Sequence, residues 1–117
     1  MSNEEVLDLP EFLERVQDDK ELLLELLDIF LEDYQGKRQQ LTEALAGKNA
    51  EEVRNVAHSL KGASGNISAK PLRAVLVQIE EGAKKGDISG VPALLPELDK
   101  QFSRLVERIA VVRKELA

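Results

Sequence analysis

Residues 51–69 read Glu51-Glu52-Val53-Arg54-Asn55-Val56-Ala57-His58-Ser59-Leu60-Lys61-Gly62-Ala63-Ser64-Gly65-Asn66-Ile67-Ser68-Ala69. Val53, Val56, Ala57, Leu60, Ser64 and Ile67 recur at the three-and-four spacing of one helical face, so the segment predicts an amphipathic helix whose stripe faces a core. At roughly 100° per residue, His58 falls nearly opposite the centre of that stripe, with Gly62 one turn further on and Gly65 about two. The histidine, the only one in the chain, therefore points outward. Each glycine costs roughly 1 kcal/mol relative to alanine in a helix interior. Lying away from the core, the two glycines do not serve packing; they leave clearance for another protein to approach the ring. Lys61 adds a cation three residues on. A neutral imidazole with an exposed nitrogen, a nearby lysine and a bare glycine surface suit an incoming phosphoryl group better than a metal or a proton relay.

The flanking sequence gives further helices. Asn49 with Glu52 is a capping box for the histidine helix. Upstream, Asp8 with Glu11, and Pro10 in the first turn, start a short helix to about Gln17 that lids the rest. Asp18-Asp19 opens the longest helix, which keeps Leu23, Leu27, Phe30, Tyr34, Leu41 and Leu45 in one stripe to about Ala46 and stops at Gly47. Leu22, Leu26 and Ile29 form a second row on one flank, and Leu24 and Leu31 a third on the other. Either one row is a docking surface, or the helix touches two neighbours and the lid. Downstream, a helix from Ala69 to Lys84 or Lys85 is expected, with Ser68 as its N-cap. It buries Leu72, Val75, Leu76, Ile79 and Ala83. Glu80 sits at the edge of this stripe, placed to reach an adjacent helix or to pair with Lys84 on its own. Gly86-Asp87-Ile88-Ser89-Gly90 is a loop. Pro92 suits a first helical turn, but Pro96 four residues later predicts an irregular start to the last helix, which carries Leu98, Phe102, Leu105, Ile109, Val112 and Leu116 to the C-terminus. Short links between amphipathic helices make neighbours antiparallel. The expected fold is all-α, an up-down antiparallel four-helix bundle with an additional short N-terminal helix, and residues 1–117 form one domain.

Composition narrows the function. The 117 residues include no cysteine, which excludes disulfides and thiolate metal sites and fits a reducing compartment. Sixteen basic residues against 22 acidic give a net charge of −6, which repels phosphate backbones and argues against nucleic acid. Apolar runs such as Leu22-Leu23-Leu24 and Ile109-Ala110-Val111-Val112 are far shorter than the roughly 20 residues of a spanning helix. The acidic N-terminus is no signal peptide, so a cytoplasmic protein without membrane contact is expected. Glu4-Glu5, Asp18-Asp19, Glu51-Glu52 and Glu80-Glu81 lack the spacing of a metal loop. Ser59 and Ser64 are hydroxyls without a base. No Gly-rich phosphate loop or ATP site is present, so the chain does not phosphorylate itself.

His58-Ser59-Leu60-Lys61-Gly62-Ala63-Ser64, with Ile67, Ala69 and Leu72 beyond, resembles the phosphoacceptor motif of histidine-containing phosphotransfer (HPt) domains. The resemblance extends to Ile79-Glu80, where such domains often place an apolar residue followed by Gln or Glu reaching back toward the histidine. It departs at Ser68, where many members carry glycine at the turn between the two central helices. It implies that His58 is the phosphoacceptor, with Lys61, Gly62 and Glu80 supporting it. A hydrogen bond from Nδ1 of His58 to Glu80 would fix the tautomer with Nε2 free to attack. The implied partners are response-regulator receiver domains or a hybrid histidine kinase. No cofactor is expected on this chain, because magnesium belongs to the receiver, and a monomer is expected. Two other readings share the resemblance: an acceptor domain phosphorylated directly by a histidine kinase core, and a helical docking adaptor that carries no phosphate.

Overall fold

The computed structural model describes residues 6–116; Glu4 and Glu5 lie outside them. Helix α1 spans Leu9–Arg15, and the Asp8 side chain accepts from the Glu11 amide at 3.1 Å, with Pro10 in the first turn. The helix stops short of the expected Gln17 because Gln17 and Asp18 adopt left-handed backbone, with φ of 54° and 63°. Asp19 alone then caps α2, Lys20–Ala46, by accepting from the Leu22 amide at 3.0 Å. Gly47 stands at its C-cap with an ordinary φ of −83°, and the left-handed step falls on Lys48 instead, at φ 52°.

Helix α3, Ala50–Asn66, starts at Asn49, whose side chain accepts from the Glu52 amide at 3.1 Å. The Asn49 amide itself donates to Ala44 O at 2.9 Å, so the end of α2 satisfies the donor that a full capping box would assign to Glu52. Helix α4 spans Lys70–Lys84. A 3₁₀ turn, Pro92–Leu94, leads into α5, Leu95–Leu116. This is the irregular start that the two prolines predict, and Pro96 lies in the first turn of α5, where a missing amide is tolerated.

The expected all-helical bundle with a short N-terminal helix is what forms. Successive helices pack side by side, with the most extensive contact between α3 and α4, and α5 returns against α2. The core takes Leu23, Leu27, Phe30, Tyr34 and Leu41 from α2, Val53, Val56, Ala57 and Leu60 from α3, Leu72, Val75, Leu76 and Ile79 from α4, and Leu98, Leu105, Ile109 and Val112 from α5. On α2 the buried residue near the end is Ala44, while Leu45 is only half-buried. Phe102 is partly buried and stacks on Tyr34 with ring centroids 3.9 Å apart, joining α5 to α2.

The turn between α3 and α4 corrects the reading of Ser68. It is not an N-cap: Ala69 occupies that position, and no side chain caps α4. Ser68 adopts left-handed backbone at φ 61° and is buried, which is the conformation glycine takes most easily. Its hydroxyl donates to Glu11 Oε1 at 2.7 Å, and its carbonyl accepts from the Asp8 amide at 3.0 Å. Lys70 adds ion pairs to Asp8 at 3.0 Å and Glu11 at 2.9 Å. Thus α1 is tied to the turn that ends the histidine helix.

Candidate functional site

His58 lies on the solvent side of α3, with 71% of its side chain exposed. The inward stripe of Val53, Val56, Ala57, Leu60 and Ser64 fixes the rotation of the helix, and that rotation turns the imidazole out. Ser64 serves the helix alone, donating to Leu60 O at 2.8 Å. Glu80 comes from the neighbouring α4, at the rim of the stripe buried there. Its Oε2 is 2.7 Å from His58 Nδ1, and its Oε1 accepts from Lys61 Nζ at 2.6 Å. Both oxygens are therefore occupied across the helix interface rather than by Lys84 along α4.

The electrostatics assign the tautomer. The Glu80 side chain is only 13% exposed, and burial alone would raise its pKa. The hydrogen bonds from Lys61 and His58 and their charges outweigh burial and hold the carboxyl below its ordinary value. An ionised carboxylate only accepts, so Nδ1 carries the proton of this contact, and in the neutral imidazole the lone pair is on Nε2. Lys61, 22% exposed, is engaged with Glu80 and does not stand free over the ring.

Gly62 is exposed, and a Cβ added there would meet nothing within 4 Å. Gly65 differs from the expectation of a second open glycine. A Cβ there would sit 3.4 Å from Cδ and Nε of Arg73 on α4, and the Gly65 carbonyl accepts from Arg15 Nη1 at 2.9 Å. Gly65 thus admits an arginine from α4 and receives another from α1. The structure brings together His58, Lys61, Gly62 and Glu80, while Gly65, one turn beyond Gly62, is flanked by Arg73 and Arg15.

Beside α3, a shallow cleft of about 150 Å³ is lined by Leu26, Ile29, Phe30 and Asp33 of α2 and by Ala63, Asn66 and Ile67 at the end of α3. Ile29 is 62% exposed and Leu22 39%, whereas Leu24 and Leu31 pack against the core. Of the two extra rows on α2, the one with Leu22 and Ile29 is the more exposed, while Leu26 between them also packs partly against the core. The sequence leaves open which row is exposed; the register of Ala63, Asn66 and Ile67 opposite α2 is what marks this one.

The Hpt domain family matches residues 25–108 of this chain, a stretch that holds His58, Lys61, Gly62 and Glu80. The chain belongs to the Hpt domain family. The crystal structure of histidine-containing phosphotransfer protein B from Pseudomonas aeruginosa PAO1 is similar to this Hpt chain with a TM-score of 0.76 and 29% identity, covering 95% of this chain and 94% of that one. No curated protein matches. Hpt domains pair with receiver domains in phosphorelays and lack a kinase ATP site. Among the described residues of this one, no helix is long and apolar enough to cross a membrane.

Proposed function

We propose that this chain carries a phosphoryl group on His58 Nε2 between the aspartates of receiver domains. The observation that carries the reading is the exposed imidazole whose Nδ1–H is held by an ionised Glu80, beside a glycine with open space. The Nε2 lone pair attacks phosphorus of an aspartyl phosphate. The N–P bond forms as the P–O bond to the carboxylate breaks, and the carboxylate leaves with the electron pair. No proton need leave the ring, because Nδ1–H stays on Glu80 and the phosphorylated ring is an imidazolium. The Glu80 carboxylate offsets that positive charge, and the second transfer reverses these steps on another aspartate.

Most of the rate in phosphoryl transfer comes from position and charge rather than covalent chemistry. Glu80 fixes the ring, Gly62 admits the partner, and Lys61, paired with Glu80, keeps that carboxylate ionised beside the ring. Magnesium comes with the receiver, and this chain binds none of its own. Exposed Leu22 and Ile29 of α2, with the edge of Leu26 in the cleft beside the histidine helix, supply apolar surface for the receiver. The test sets an acetyl-phosphate-charged receiver domain with magnesium in one tube and a histidine kinase core with ATP in another, and follows label on His58. Labelling by the receiver is expected. Labelling by the kinase core alone would make the chain a direct kinase acceptor, and no label from either would leave a docking adaptor.

A further inference from the structure

Gly36 sits in the middle of the 27-residue helix α2. It is exposed, and a Cβ there would meet nothing within 4 Å. Its backbone is not in the left-handed region that would require glycine. Nothing among the described residues therefore explains a residue that weakens a helix interior. Gly62 of α3 shares the exposure and the open space at Cβ, one turn before that helix ends.

The helical register joins the two. Gly36 lies three residues beyond Asp33 and seven beyond Ile29, so it continues the face of α2 that lines the cleft against Ala63, Asn66 and Ile67. Helices α2 and α3 are antiparallel across the short turn 47–49. One turn beyond Asp33 on α2 is thus level with the turn of α3 that precedes Ala63, which includes Ser59 and Gly62. Gly36 belongs to the surface that runs from the apolar row of α2 toward His58.

We infer that Gly36 is a second point of close approach for the receiver, a positioning residue on α2 that keeps the partner low enough over the bundle for its aspartate to reach Nε2. This rests on the receiver reading of His58 given above. The occupant is the phosphorylated receiver because the same face continues into the phosphoacceptor helix. A side chain at Gly36 lifts the partner without touching His58, Glu80 or Lys61.

The test compares Gly36→Arg, Gly36→Ala and Gln35→Arg in the full chain. Gln35 is exposed on the same helix about 100° round from Gly36, so it controls for added charge. The donors are an acetyl-phosphate-charged receiver that labels the parent protein and phosphoramidate, a small donor that needs no docking. Gly36→Ala should raise the melting temperature by about 4 °C, as expected for gaining alanine in a helix interior. Gly36→Arg should slow uptake from the receiver by about tenfold or more while phosphoramidate still labels His58 at the parent rate; Gln35→Arg should behave as the parent with both donors. Equal receiver rates for Gly36→Arg and the parent would overturn the role of Gly36 and leave the receiver reading standing. If no receiver labels the parent protein while phosphoramidate does, the receiver reading fails and this inference with it.

Discussion

At the scale of single residues, the site separates folding from chemistry, because its key side chain is exposed while its support is not. His58→Gln removes the nucleophile from a solvent-facing position, so stability should change by less than about 0.5 kcal/mol while phosphate uptake disappears. Thermal denaturation alongside a labelling assay checks both, and a variant that fails to fold would contradict the exposed placement. Gly62→Arg adds a long side chain where a Cβ meets nothing; it should melt as the parent does yet block receiver transfer. Glu80 is more demanding. Glu80→Gln keeps a carbonyl for Nδ1–H, whereas Glu80→Ala removes the acceptor and leaves Lys61 without its partner. A hydrogen bond to a charged group contributes roughly 1.5 kcal/mol, so Glu80→Ala should slow transfer about tenfold and Glu80→Gln less. Nitrogen-15 spectra of the ring should show Nδ1–H in the parent and a shift toward Nε2–H in the alanine variant; an unchanged tautomer would end the orienting role of Glu80.

At the scale of elements, α1 is fastened to the α3–α4 turn by Glu11, Asp8 and Arg15 rather than by apolar burial alone. The Ser68 hydroxyl bond, then the Lys70 bond, holds Glu11 below the ordinary carboxylate value, and Lys70 followed by the Glu11 amide does the same for Asp8. Lowered folded values mean that the fastening contributes fully above the unfolded pKa values, near 4, and is lost as the pH falls through the lower folded ones. An acid titration should show α1 release below about pH 4, with a shallower loss in Glu11→Gln. Ser68→Ala keeps the left-handed turn but loses the hydroxyl, and should cost about 1 kcal/mol in urea denaturation. Ser68→Gly should cost less, because it relieves the backbone while losing the same bond. These contacts also show what could be read from the chain and what could not. Helix starts at Asp8, Asp19 and Asn49 follow from local capping chemistry, and the outward His58 follows from the register of α3. Serine before a helix usually caps it, which is why the local sequence points to an N-cap at Ser68; its actual role depends on Glu11, 57 residues away. Gly65 has an outward register, but register says nothing of Arg73 arriving from α4.

At the scale of the molecule, which extends 43 × 26 × 19 Å, the bundle is unevenly joined. The α3–α4 pair that carries His58 and Glu80 packs most extensively. The α2–α5 seam instead relies on the Tyr34–Phe102 stack, the bidentate pair of Arg38 with Asp99 at 2.9 and 3.2 Å, and a pair between Arg113 and Asp28. Exposed ion pairs contribute little, so the aromatic stack should dominate that seam. Tyr34 is buried with no partner on its hydroxyl among the described residues, and burial pushes its pKa well up. Tyr34→Phe removes only that hydroxyl and should leave stability within about 1 kcal/mol of the parent or raise it. Phe102→Ala removes half of the stack, and a partly buried aromatic at such a seam should cost about 2–3 kcal/mol. His58 and Lys61 pair with Glu80 of α4, so the folded fraction of Phe102→Ala should keep the His58 tautomer and transfer phosphate at the parent rate. Native-state hydrogen exchange should then show α5 opening first while α3 and α4 stay protected. Equal loss of protection in α3 would mean that the phosphoacceptor hairpin depends on α5 for its rigidity, and that the seam and the site are one cooperative unit.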